Sequence, residues 1–211
     1  MLGKLRPAIS SFVNIIAYPF AAAKINPNLF SFCAVPLAVA AAYFMMQQQF
    51  YFAFIFSVLA VSIDLFDGAV ARLQNKSTLF GNYFETMVDK LVEIILFIGA
   101  AFLFPLAAIS ALGFSLFNSY AKPRVALVII TDNRDWPAIG EHGERMILLL
   151  AGILLSIFSI SIFNFTVLEI ALWLIALISL AGSVQRIFYA KKLIAEAEKS
   201  GSVLPYLIKK K

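Results

Sequence analysis

Apolar residues run along this chain in long stretches broken by short polar punctuation. They do not alternate as in strands or form the one-sided stripe of a soluble helix. A spanning helix needs roughly 20 mostly apolar residues. Six stretches qualify, at residues 29–47, 50–72, 80–103, 105–130, 143–164 and 168–189, with Gln47-Gln48-Gln49 and Pro105 marking two of the connections. The pattern predicts an all-α membrane protein with six transmembrane helices. Residues 8–23 form a shorter apolar stretch that contains Pro19 and follows Lys4 and Arg6. It reads as an amphipathic helix lying in the membrane interface; a signal peptide ending at Ala21-Ala22-Ala23 is the alternative. The chain then divides into an interfacial helix and entry loop (1–28), a transmembrane domain (29–192) and a basic tail (193–211).

Composition agrees with this reading. The 211 residues are 62% hydrophobic and 14% charged, against about 25% charged in ordinary soluble domains. The net charge of +5 is segregated along the chain rather than spread over it. With both termini cytoplasmic, Lys4, Arg6, Lys24, Arg72, Lys76, Lys122, Arg124, Arg134, Arg145, Arg186, Lys191, Lys192, Lys199 and Lys209–Lys211 all fall on the cytoplasmic side. The outer turns near residues 48, 104 and 166 carry no Lys or Arg, and Glu169 is the one charge there. That is the positive-inside distribution, and it accounts for the basic excess without nucleic acid. The single Cys33 excludes an intramolecular disulfide.

Against this background the segment 64–89 stands out. It reads Asp64-Leu-Phe-Asp67-Gly68-Ala-Val-Ala71-Arg72, then eight residues, then Gly81-Asn-Tyr-Phe-Glu85-Thr-Met-Val-Asp89. Ionisable groups at membrane depth are costly and point to function. Asp64, Asp67, Gly68, Ala71 and Arg72 share one helical face by spacing, and Gly81, Glu85 and Asp89 share another. The two helices run in opposite directions. Eight residues at 1.5 Å rise put both Asp64 and Asp89 about 12 Å from the cytoplasmic helix ends. All four acids can therefore meet in one shallow pocket. Four such carboxylates repel one another unless cations are present. Hard oxygen donors suit Mg²⁺, Mn²⁺ or Ca²⁺ rather than zinc, and Mg²⁺ commonly bridges carboxylates to substrate phosphates. Gly68 and Gly81 allow close backbone approach, Ala71 keeps the face uncrowded, and Arg72 offers a phosphate clamp at the mouth.

The segment resembles the signature of the CDP-alcohol phosphotransferases, D-x2-D-G-x2-A-R-x8-G-x3-D-x3-D, with Glu85 in place of the third aspartate. Ile25-Asn26-Pro27-Asn28 is similar to the T-P-N turn that precedes the first span in that family. The resemblance implies transfer of a substituted phosphate from a CDP-linked donor to an acceptor hydroxyl, with release of CMP. It implies that Asp64, Asp67, Glu85 and Asp89 hold metal, with two ions expected, and that Asp89 is the general base. Asp64, Asp67, Gly68, Ala71, Arg72, Gly81 and Asn28 would line the nucleotide side. A homodimer is expected on the same ground. The longer side chain of Glu85 bears directly on the metal assignment.

Cations near the cytoplasmic ends of three later helices, Lys122, Arg124, Arg145 and Arg186, look like the phosphatidylinositol-phosphate-synthase branch, where basic residues hold an inositol phosphate. The same cations also suit snorkelling to headgroups. His142, the only histidine, reads as a cap or surface group, and Asp132-Asn133-Arg134-Asp135 as a loop. The expected activity is transfer from a CDP-activated lipid (CDP-diacylglycerol or CDP-archaeol) to a small polar acceptor such as inositol phosphate, glycerol phosphate or serine. Transfer of a CDP-choline or CDP-ethanolamine type onto a lipid diol uses the same signature. A divalent-cation transporter is the non-enzymatic alternative. It fits less well, because the acids cluster at one face without repeated halves.

Overall fold

The computed structural model describes residues 6–130, 136–137 and 139–204; side chains before Val13 are not included in that description. Lys4, the loop 132–135 and the terminal lysines, to which the sequence reading gave places, lie outside the described residues. The chain forms α1 (Arg6–Ala22), α2 (Pro27–Phe32), α3 (Ala34–Met46), α4 (Phe50–Leu73), α5 (Leu79–Ala101), α6 (Pro105–Val125), α7 (His142–Ser156) and α8 (Val167–Ser200). A hairpin of β1 (Ser161–Ile162) and β2 (Phe165–Thr166) joins α7 to α8. Phe163 and Asn164 both adopt positive φ at its turn, as two-residue hairpin turns require.

The expected helical stretches are present, with altered ends. The first apolar stretch is interrupted at Cys33, so α2 and α3 follow one another closely. α7 stops at Ser156, short of residue 164, and α8 runs unbroken past residue 189 to Ser200. Among the described residues, three helical segments are long and apolar enough to cross a membrane: Pro27–Met46, Phe50–Leu73 and Val167–Ser200. The others differ for visible reasons. α5 carries Glu85, Asp89, Lys90 and Glu93; α6 contains Ser110, Ser115, Asn118 and Ser119 and ends on Lys122 and Arg124; α7 has only 15 residues.

Small residues let the helices approach. α3 packs on α4 and α5, α6 and α7 pack on α8, and α1 packs on α4. Ala38, Ala41 and Ala42 of α3 are buried, and Gly99 of α5 lies so close that a Cβ there would stand 2.7 Å from the Ala42 Cα. Gly152 of α7 meets Ala171 of α8 in the same way. Such contacts replace the hydrophobic drive that lipid removes between helices. Met45, Leu96, Phe97, Met146, Leu149, Ile153, Leu172 and Ile175 fill the buried interior. Many large apolar side chains point outward instead, among them Tyr51, Phe52, Leu106, Ile109 and Phe188, an exterior suited to lipid.

Two caps fix the elements around the acid segment. The Asn26 side chain accepts from the Asn28 N–H at 3.0 Å and Pro27 opens α2, a conventional start. Thr78 Oγ1 accepts from the Gly81 N–H at 2.9 Å and starts α5.

Gly99→Leu should force α3 and α5 apart. An overpacking cost of about 1–3 kcal/mol is expected, read as a lowered midpoint of thermal unfolding in detergent.

Candidate active site

α4 and α5 carry the acid segment, and the C-terminal half of α4 and the N-terminal half of α5 enclose a cavity with α2. It is lined by Pro27, Asn28 and Ser31 from α2, by Asp67, Gly68, Ala71 and Arg72 from α4, and by Gly81 and Glu85 from α5. The turn between the two long helices adds Lys76, Ser77 and Thr78, and Asn82 follows. Both capped helix starts thus form part of the rim. All of the residues expected on the nucleotide side line this cavity except Asp64.

Asp64, Asp67 and Glu85 each bring a carboxylate oxygen to within 4.8 Å of the others. Glu85 reaches the cluster despite its added methylene. Asp89, one turn beyond Glu85 on α5, stands beside this trio, with Asp64, Asp67 and Glu85 as its charged neighbours. Asp67 is buried and anchored twice: Ser31 Oγ donates to Oδ2 at 2.6 Å, and the Gly68 N–H donates to Oδ1 at 2.6 Å. A Cβ on Gly68 would lie 3.3 Å from Arg72 Nη1 and 3.8 Å from Glu85 Oε2. Gly68 therefore leaves a gap between the clamp arginine and the acids. A trio of close carboxylates, with only oxygen donors, fits a hard divalent cation.

A second polar centre lies one turn deeper on α5. Glu93, fully buried, accepts from Arg145 Nε at 2.7 Å and Arg145 Nη2 at 3.1 Å. Lys90 Nζ lies 2.6 Å from Glu93 Oε2, and His142 Nδ1 lies 3.1 Å from the same oxygen. Arg145 also donates to the Gly140 carbonyl and to Ser119 Oγ. The chain just before α7 is wedged between α6 and α8. Asn118 Nδ2 donates to the carbonyls of Ile139 and Gly140, and Arg186 donates to the carbonyls of Pro137 and Asn118. Gly182 admits this segment: a Cβ there would fall 2.1 Å from the Ile139 oxygen.

The four cations read as acceptor ligands therefore separate into two pairs. Arg145 and Arg186 are buried and already hydrogen-bonded, whereas Lys122 is half-buried and Arg124 is exposed in the last turn of α6. His142 neither caps α7 nor stands free, because it turns towards Glu93. Sequence reasoning missed Glu93, Ser31 and Asn118. Glu93 had a signal, since Gly81, Glu85, Asp89 and Glu93 continue one four-residue series. Ser31, four residues after Pro27, and Asn118, one of several polar residues of α6, carried none that separates them from ordinary polar residues.

Comparison with known proteins gives concordant results. The family profile described as CDP-alcohol phosphatidyltransferase matches residues 24–177. The archaetidylinositol phosphate synthase of Pyrococcus horikoshii is 30% identical over 199 residues, covering 91% of this chain and 97% of its own. That of Methanothermobacter thermautotrophicus is 31% identical over 160 residues, covering 72% and 76%. Among solved structures, the Mycobacterium tuberculosis phosphatidylinositol phosphate synthase with CDP-DAG bound has the same fold. Its TM-score is 0.68 at 24% identity, over 84% of this chain and 92% of that one. The same enzyme in complex with manganese and citrate aligns with a TM-score of 0.69 at 22% identity, over 85% and 88%.

Ser31→Ala should leave the buried Asp67 carboxylate short of a donor. A loss of about 1.5–3 kcal/mol is expected for a hydrogen bond to a charged group, measured by thermal unfolding, with Ser31→Thr retaining most of the stability.

Proposed function

This chain belongs to the CDP-alcohol phosphatidyltransferase family, and on that premise we propose that it joins a CDP-activated lipid to inositol phosphate. It is a membrane-associated transferase of phospholipid synthesis. The observation that carries the assignment is the convergence of Asp64, Asp67 and Glu85 beside Gly68 and Arg72. The donor is CDP-diacylglycerol or its ether-lipid counterpart CDP-archaeol, whose tails stay in the bilayer while the diphosphate enters the cavity. The acceptor reading is supported by the archaetidylinositol phosphate synthase relatives. The excess of cations around Glu93, where Lys90 and Arg145 share one carboxylate, agrees with an anionic acceptor.

The residues divide the work as follows. Asn28, Gly68, Ala71, Arg72 and Gly81 border the nucleotide and leave room for its diphosphate, and Arg72 pairs with phosphate oxygens. Asp64, Asp67, Glu85 and Asp89 would hold two Mg²⁺ or Mn²⁺ ions, with Ser31 steadying Asp67. The ions, when bound, neutralise the diphosphate and the charge that grows on departing CMP. Asp89, at the edge of the trio, takes the proton from the acceptor hydroxyl. The acceptor oxygen then bonds to the lipid-bearing phosphorus, the bond from that phosphorus to CMP breaks, and CMP leaves. Lys122 and Arg124 meet the acceptor phosphate from α6, while Arg145 and Arg186 shape the wall behind it.

The same proposal places six spans in the membrane, both termini and the site on the cytoplasmic face, α1 in the interface, and two copies in a homodimer. The positive-inside distribution supports the orientation. The packing of Val13 and Ala17 of α1 against Ala69 and Val70 of α4, with Ile15 and Tyr18 outward, supports the interfacial helix.

Purified protein with Mn²⁺ and CDP-diacylglycerol should release CMP only when an acceptor is added. Inositol phosphate should outperform glycerol phosphate, serine, inositol and glycerol. Asp89→Asn should lower turnover by about 10²–10⁴-fold with unfolding unchanged; wild-type CMP release by that variant would remove Asp89 from the base role. Metal uptake into vesicles without nucleotide would instead mark a carrier.

A further inference from the structure

We infer that Glu93 is a positioning residue of the transferase, holding α7 at a fixed distance from the helix that carries Asp89. The inference rests on the proposed function for its activity readout, and on geometry for the rest. Glu93 lies one helical turn beyond Asp89 on the same face of α5, so its carboxylate and the base move with one rigid helix. α5 packs mainly on α3 and α6, whereas α7 packs mainly on α8 and α4. The two helices therefore do not set each other's place through an extensive backbone interface. Their link converges on Glu93: the two-point contact of Arg145, both side chains being fully buried, joined by His142 Nδ1 from the first residue of α7.

The remaining contacts of Arg145 make this link stiff. Its guanidinium also binds the Gly140 carbonyl and Ser119 Oγ, and Gly140 is in turn held by Asn118. One planar group thus ties α5, α6 and the start of α7 together. This engagement fixes the wall against which an acceptor must sit to present its hydroxyl to Asp89. A shift of that wall weakens the seating of the acceptor, a KM effect, rather than slowing the chemistry of an acceptor already seated.

Glu93→Gln keeps the shape and removes the charge. It should raise the KM for inositol phosphate, or whichever panel acceptor the wild type consumes, by about tenfold, and leave the KM for CDP-diacylglycerol and the Mn²⁺ requirement within about twofold. A loss of turnover with every KM unchanged would overturn the inference. Because a lone charge left buried can prevent folding, a second variant, Glu93→Met with Lys90→Met and Arg145→Met, replaces the charged cluster by apolar groups, a change that proteins often tolerate. It should show the same selective acceptor defect. Independently of activity, spin labels at Met87→Cys and Ile147→Cys, both exposed positions, in a Cys33→Ser background should report a broadened α5–α7 distance distribution in that second variant. A distribution as narrow as that of the labelled parent would overturn the inference even if no acceptor were turned over. Failure of the wild type to release CMP would count against the proposed function alone.

Discussion

The organising constraint is mutual repulsion among carboxylates that an apolar chain cannot leave in bulk water. Three of them meet within 4.8 Å, and nothing in the surrounding Ala, Val and Phe side chains can neutralise them. The fold answers locally with donors and distance. Ser31 and the Gly68 N–H hold Asp67, Arg72 leans over Gly68, and the caps at Asn26 and Thr78 fix where the two flanking helices begin. The negative charge that remains is what divalent cations would neutralise, with coordination positions left over for a diphosphate. The acids are therefore better understood as half of a binding site than as a stabilising element of the fold.

A separate device manages the positive charge. Lys90, His142 and Arg145 gather on Glu93, away from the trio of acids, although Lys90 directly follows Asp89 in sequence. Replacing a buried pair by apolar residues often costs a protein nothing, so stability alone gives a weak reason for this arrangement. Geometry gives a better one, because the pair joins the helix of the acids to the helix that follows the wedge at Ile139 and Gly140.

The acid site was legible in the sequence because it is local. Its members fall on two consecutive helices, and period and depth suffice to bring Asp64, Asp67, Glu85 and Asp89 together. The side proposed for the acceptor was less legible because it is built from tertiary placement. Arg145 and Lys122 look alike as cations near helix ends, yet one is sealed against Glu93 and the other is not; only the packing of α6, α7 and α8 separates them. Helix boundaries followed the same division. The end of α4 at the Gln74-Asn75 turn was read to within a residue. The continuation of α8 to Ser200 goes instead with packing on Val125, Ile129 and Trp136, far back along the chain, and α7 is shortened by a local hairpin whose turn falls on Phe163 and Asn164. The Glu93 series was written plainly in steps of four, but a buried ion pair and a metal ligand share that spacing.

The length of α8 has a consequence for assembly. At 1.5 Å per residue its 34 residues extend about 51 Å, well beyond the roughly 30 Å of a hydrocarbon layer. Its projecting end packs with Val125, Ile129 and Trp136, and the strand-like pairing of Val203 with Ile129 closes the chain back on the end of α6. α6 finds its main partner in α8, so it must wait through the synthesis of some forty intervening residues, Ala126–Thr166, before its partner begins. α1 to α5 need no such delay. During insertion the acid half can be complete while the other half is still open, and the order of translation alone makes the pocket of the acids older than the wall that α6, α7 and α8 build.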